Sequence, residues 1–155
     1  MKKLIALIAF VSFAVLPVAA QQYATVTAKR ANVRSCAGTK CSIKWHAWRY
    51  TPVIIMQTNE DKTWAQIKDF EGFNGWISMD LLSTSVGGYS AKVDVNVRQG
   101  ASAGTDIVCT VEKGYPFKYL ARKGDWIQVV DEPENPKDGT CKGWIYGKNL
   151  WGFTK

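Results

Sequence analysis

Histidine is nearly absent from this 155-residue chain, with His46 the single one. A serine triad or a cysteine–histidine pair needs an imidazole base, so either would have to be built around that residue. No Gly-x-Ser-x-Gly elbow surrounds a serine, and no zinc-protease His-Glu motif, phosphate loop or dinucleotide fingerprint occurs. Cysteine is scarce too, with four residues and no Cys-x-x-Cys spacing, which argues against a four-thiolate zinc site. Acidic residues are outnumbered 13 to 20 by Lys and Arg. The carboxylates Asp131, Glu132 and Glu134 lie in a Pro-bearing loop, poor ground for the paired carboxylates of glycoside cleavage. These absences point away from an enzyme and imply neither a metal nor a cofactor.

Apolar runs of membrane-spanning length are also lacking. The longest, Leu4 to Leu16, falls short of the roughly 20 residues a span needs, so no stable membrane anchor is expected. It follows Lys2-Lys3 and precedes the small residues Val18-Ala19-Ala20, the layout of a secretory signal peptide over residues 1–20. The expected location is therefore the periplasm or the outside of the cell. Removing Lys2 and Lys3 leaves 18 basic against 13 acidic residues, a net charge of +5. That favours anionic partners such as wall polymers or lipid headgroups; an exported protein is not expected to meet nucleic acid.

Export makes disulfides the default for an even cysteine count. Three pairings exist on paper. Cys36 and Cys41 flank the turn Ala37-Gly38-Thr39-Lys40 and are paired here, which leaves Cys109 with Cys141.

What the chain does have is an internal repeat. Asn32-Val33-Arg34 recurs as Asn96-Val97-Arg98, 64 residues on, each followed by a loop of small residues. Ile43 and Pro52 match Ile107 and Pro116 at the same offset. Trp64 matches Trp126, and Gly75-Trp76-Ile77 matches Gly143-Trp144-Ile145, with drift only between anchors. This is a duplicated module of about 60 residues. Val93, Val95 and Val97 alternate with polar residues, which is strand period. Each module reads as four or five short strands, with Arg122-Lys123-Gly124-Asp125 as a turn. Trp64, Trp76, Trp126 and Trp144 read as core or half-core residues of modules too small to bury much else. The boundaries expected are a first module over 21–84, a glycine-bearing linker over 85–90 and a second module over 91–155.

The order of Asn-Val-Arg, small-residue loop, apolar strand, Trp-containing strand and Gly-Trp-Ile strand ending in Leu resembles the bacterial SH3 (SH3b) domain over residues 24–83 and 91–152. The resemblance implies an all-β fold of two tandem small SH3-like barrels. It also implies a non-catalytic role in binding peptidoglycan or a periplasmic or secreted protein, with a small wall hydrolase as a third reading. Two features depart from the pattern: an enlarged loop over residues 131–140, and the bulky Trp45 and Trp48.

The differences between the copies mark the candidate ligand residues. Trp45 shares strand phase with Ala47 and is expected to point inward. Trp48-Arg49-Tyr50 lies in a turn where the second copy has Glu112-Lys113-Gly114. An exposed Trp beside Arg and Tyr is a recognition patch for sugars or peptides; the other reading is an aromatic packed against the neighbouring module. Trp151 near the C-terminus is a second candidate, or a clasp for the chain end.

Overall fold

A computed structural model describes residues 21–133 and 139–154. The expected signal peptide, residues 1–20, lies outside the described residues. The first module has strands β1 (Gln22–Val26), β2 (Arg30–Arg34), β3 (Ile43–Trp48), β4 (Pro52–Thr58), β5 (Trp64–Lys68), β6 (Asn74–Ser78) and β7 (Leu82–Ser83). The second has β8 (Gly88–Ala91), β9 (Val95–Arg98), β10 (Ile107–Val111), β11 (Pro116–Lys123), β12 (Trp126–Val130), β13 (Lys142–Tyr146) and β14 (Leu150–Phe153). The fold is all-β, in two seven-stranded antiparallel sheets of the same topology. The order is β3-β2-β6-β5-β4-β1-β7 in one and β10-β9-β13-β12-β11-β8-β14 in the other. Each sheet has more strands than the four or five expected, because the short terminal strands pair with each other at the end of the sheet.

The repeated motifs have a shared physical origin. In Asn-Val-Arg the valine is fully buried, as Val33 and as Val97. The arginine turns outward and holds the following loop: Arg34 Nη1 donates to Cys41 O at 2.7 Å, and Arg98 Nη1 to Thr105 O at 2.7 Å. Where this strand meets the Gly-Trp-Ile strand, Arg34 stands opposite Trp76 and Arg98 opposite Trp144. The glycine one residue earlier is demanded by that crossing. A Cβ on Gly75 would come 2.6 Å from Val33 Cγ1 and 2.8 Å from Arg34 O, and one on Gly143 would collide with Arg98 O.

The core is made of small and aliphatic residues. In the first module it holds Val26, Val33, Val53, Ile67 and Ile77, with alanines between them and Trp45 packed on its edge. Trp45 stands opposite Val33, and Ala47 opposite Ala31. At the matching places of the second module are Cys109 opposite Val97 and Val111 opposite Val95. One copy thus fills the space with an indole above two alanines, the other with a sulfur beside two valines. Phe117 is the largest fully buried side chain of the second core.

The period-2 alternation of β5, β6, β12 and β13 puts Ala65, Ile67, Ile77, Ile127, Val129 and Ile145 inward. Trp64, Trp76, Trp126 and Trp144 occupy the alternate positions, half-buried on the outer face. They are half-core at most.

Three other expectations change. The segment 85–90 is not a free linker, because Gly88–Ala91 is a fully buried strand paired with β11 and β14. Gly88 is needed for close approach: a Cβ there would lie 2.6 Å from Tyr50 O and 2.9 Å from the Thr25 side chain. Thr25 Oγ1 also donates to Val86 O at 2.7 Å. The expected turn over 122–125 shrinks to Gly124-Asp125, since β11 continues to Lys123. Val93, expected to alternate inward, is exposed ahead of β9.

Disulfides join Cys36 to Cys41 and Cys109 to Cys141, at sequence separations of 5 and 32. The loop-entropy relation assigns about 2 kcal/mol to the short loop and about 4 kcal/mol to the long one. Replacing Cys109 and Cys141 by Ser should therefore cost more in denaturant unfolding than replacing Cys36 and Cys41. Gly75→Ala should cost about 1–3 kcal/mol by overpacking in the same measurement.

Candidate functional site

The turn between β3 and β4 reaches from the first module to the second. Thr51 N donates to Trp48 O at 3.0 Å, and Tyr50 N to Val26 O at 2.9 Å. Tyr50 adopts φ 69°, where the second copy has Gly114 at φ 90°. A side chain in that left-handed region costs about 1–2 kcal/mol. The compensation is Glu132: Arg49 Nη1 donates to both of its carboxylate oxygens at 2.7 Å. Burial, helped by the Glu132 charge and opposed by Arg49, pushes the Tyr50 phenol above its ordinary pKa.

Glu132 is itself held in place. Its neighbour Asp131 is buried, with Oδ2 accepting from Tyr115 Oη at 2.8 Å and Oδ1 from Cys141 N at 2.8 Å. Cys141 is in turn bonded to Cys109 on β10. Two further contacts join the modules. Lys113 pairs with Glu71, with its ammonium 5.8 Å from the Phe70 ring centroid. Trp151 has its ring centroid 5.9 Å from that of Tyr23 and 6.0 Å from that of Phe70, and Phe153 is 5.6 Å from Tyr23.

The candidate residues are therefore divided. Arg49 and Tyr50 grip the second module, and Trp151 packs between rings of the first. Trp48 remains 36% exposed, with the Arg30 guanidinium 5.4 Å from its ring centroid. Its indole lines a groove of about 880 Å³ at the junction. Lys29, Trp48 and Arg49 form one side. β10 with the turn to Pro116 forms another, and residues 131–133 and 139–141 a third. The volume suits a small ligand or a short polymer segment. The sequence names Glu132 and Lys113 without linking either to the other module, and it does not single out Glu71. The only available signal was the enlarged loop, which breaks the match between copies where it supplies Glu132.

No cluster of three or more His, Cys, Asp or Glu able to hold a metal occurs among the described residues. The sulfur of Cys41, five residues from His46, is committed to Cys36. A double-mutant cycle on Arg49→Ala and Glu132→Ala should give a coupling of about 0.2–1 kcal/mol in thermal or denaturant unfolding, the range for partly exposed pairs.

Comparison with known proteins matches both halves of the chain. Residues 27–84 and residues 93–150 each match a family model described as a bacterial SH3 domain. The chain is 32% identical over 69 residues to the probable cell wall amidase LytH of two strains of Staphylococcus epidermidis. That match covers 44% of this chain and 22% of the amidase, so the chain spans about a fifth of that relative's length. Among solved structures, NlpC2 from Trichomonas vaginalis aligns with TM-score 0.38 and 14% identity, covering 87% of this chain and 49% of that one. An NlpC/P60 family protein from Bacillus cereus aligns with TM-score 0.38 and 10% identity, covering 84% of this chain and 56% of that one. These structural likenesses are too distant to bear on activity. With both repeats matched, the chain belongs to the bacterial SH3 domain family, as a tandem of two such domains.

Proposed function

We propose that the chain is an exported, non-catalytic binding protein that recognises peptidoglycan in the groove between its two SH3 domains. The observation that carries this reading is Trp48: an exposed indole, on a turn where the second copy has Glu112, at a groove that both domains line. Placing a large hydrophobic side chain in solvent gains nothing for the core. Holding it on a turn with a left-handed Tyr50 has a cost that packing within the first domain does not require. A flat aromatic face with cations and carboxylates around it suits a ligand of mixed apolar and zwitterionic character, which a sugar–peptide polymer supplies. The family supports a binding role, and the name of the staphylococcal relative, a cell wall amidase, places a similar segment in a wall-directed protein. Two closed disulfides suit an oxidising compartment.

Purified peptidoglycan should sediment the protein. Trp48→Ala should weaken that binding by more than about 1 kcal/mol, roughly fivefold, as truncated aromatic anchors do. Its unfolding free energy should change by less than about 0.5 kcal/mol. A protein that does not sediment would favour the rival reading of an adaptor for a periplasmic or secreted protein. A Trp48→Ala variant that loses stability but keeps full affinity would assign the indole to packing.

A further inference from the structure

The strands of the two sheets contain no Asp or Glu among the described residues. Lys and Arg are present on both sheets. Arg34 and Lys68 hold alternate positions to buried Val33 and Ile67, Arg98 to Val97, Lys118 to Phe117 and Lys142 to Gly143. Exposed Lys44 joins this set by donating from Nζ to Asn74 Oδ1 at 3.0 Å. The described carboxylates lie in loops and in the 3-10 turn at Met79–Leu81, where Glu71 and Glu132 are already engaged at the domain junction. The excess of positive charge is thus laid out on the sheets themselves.

The register adds aromatic groups to the same surface. Ile43, Arg34, Trp76 and Gln66 stand opposite one another across β3, β2, β6 and β5. Ile107, Arg98, Trp144 and Gln128 repeat that row across β10, β9, β13 and β12. Residues directly opposite in antiparallel pairs project from one face, and the inward alternates are the buried core. Each row is an outward stripe in the order apolar, cation, indole and amide. Next to each indole stands a second, Trp64 in the first domain and Trp126 in the second, the latter 5.6 Å from the Tyr146 ring. Gln66 Oε1 accepts from Gln57 Nε2 at 2.8 Å, which leaves the Gln66 N–H donors for a ligand.

We propose that these outward faces form a duplicated binding surface for an anionic polysaccharide, separate from the junction groove. The cations attract carboxylate or phosphate groups. The indoles take the apolar C–H faces of sugar rings, and the glutamine amides bond hydroxyl groups. A single exposed cation holds one anion weakly. A polymer engaging the same stripe twice on one chain gains by raising the effective concentration of the second contact.

The test uses the full chain in affinity electrophoresis and calorimetry with polygalacturonate, with neutral dextran and polyglutamate as controls. The expected result is binding to polygalacturonate that weakens severalfold between about 0.05 and about 0.3 M salt as charges are screened, with at least tenfold weaker binding to both controls. Lys68→Gln with Lys142→Gln should reduce binding at least fivefold without altering the melting temperature. Trp76→Leu with Trp144→Leu should do the same in protein shown to be folded by its melting transition. Equal binding to polyglutamate would show attraction by charge alone, and equal binding to dextran would remove the charge requirement; either overturns the proposal. Absence of polygalacturonate binding also overturns it. So does loss of that binding in Trp48→Ala together with its retention in the lysine pair, which would move the anion site into the groove.

Discussion

Arg49 and Glu132 form the contact on which the candidate site depends. The guanidinium nitrogen meets both carboxylate oxygens at 2.7 Å, with side chains still 35% and 38% exposed. A pair this exposed adds little to stability. Its role is geometric. Glu132 follows Asp131, whose carboxylate is fixed by Tyr115 and by the backbone of Cys141, and Cys141 is linked to β10. Any displacement of the first domain's turn is therefore opposed by a chain of contacts ending in the second domain's core. The ring cluster of Tyr23, Phe70 and Trp151 and the Lys113–Glu71 pair supply further points of attachment. Several points of contact fix an orientation that one ion pair could not.

This arrangement gives different meanings to what is repeated and what is not. Repeated features are imposed by the sheet. Asn-Val-Arg and Gly-Trp-Ile recur because the two strands cross so closely that only glycine fits beside the buried valine and the arginine carbonyl. Unrepeated features build the junction. At the turn that holds Trp48-Arg49-Tyr50 the second domain has Glu112-Lys113-Gly114, and the loop that carries Glu132 is longer than its counterpart over residues 69–73 in the first. Trp48 and the described ends of the enlarged loop, both departures from the family pattern, line one groove.

The sequence was legible where a local rule decided the outcome. Tandem repeats, strand-rich modules and both cysteine pairs follow from spacing and period. It misled where a residue type has two uses. Gly87-Gly88 reads as flexibility, yet Gly88 is there because the backbone passes against Tyr50 and Thr25. The tryptophans of β5 and β6 read as core or half-core because they are large and recur, and the alternation Trp64-Ala65-Gln66-Ile67 decides for half-core by assigning the inward side to alanine and isoleucine. The contacts of Trp151 could not be read at all, since its partners Tyr23 and Phe70 come from remote parts of the chain. For the same reason Glu132 looked like one more loop carboxylate.

The central claim is that the groove between the domains is where peptidoglycan is read. The most direct measurement is a titration of the isotope-labelled protein with soluble peptidoglycan fragments, following the Trp48 indole N–H and the backbone amides of β10 by NMR. The account predicts saturable shifts at Trp48 and along Val108–Val111, with smaller changes in the buried residues of either core. Saturable binding that leaves the Trp48 indole and β10 unmoved would contradict it.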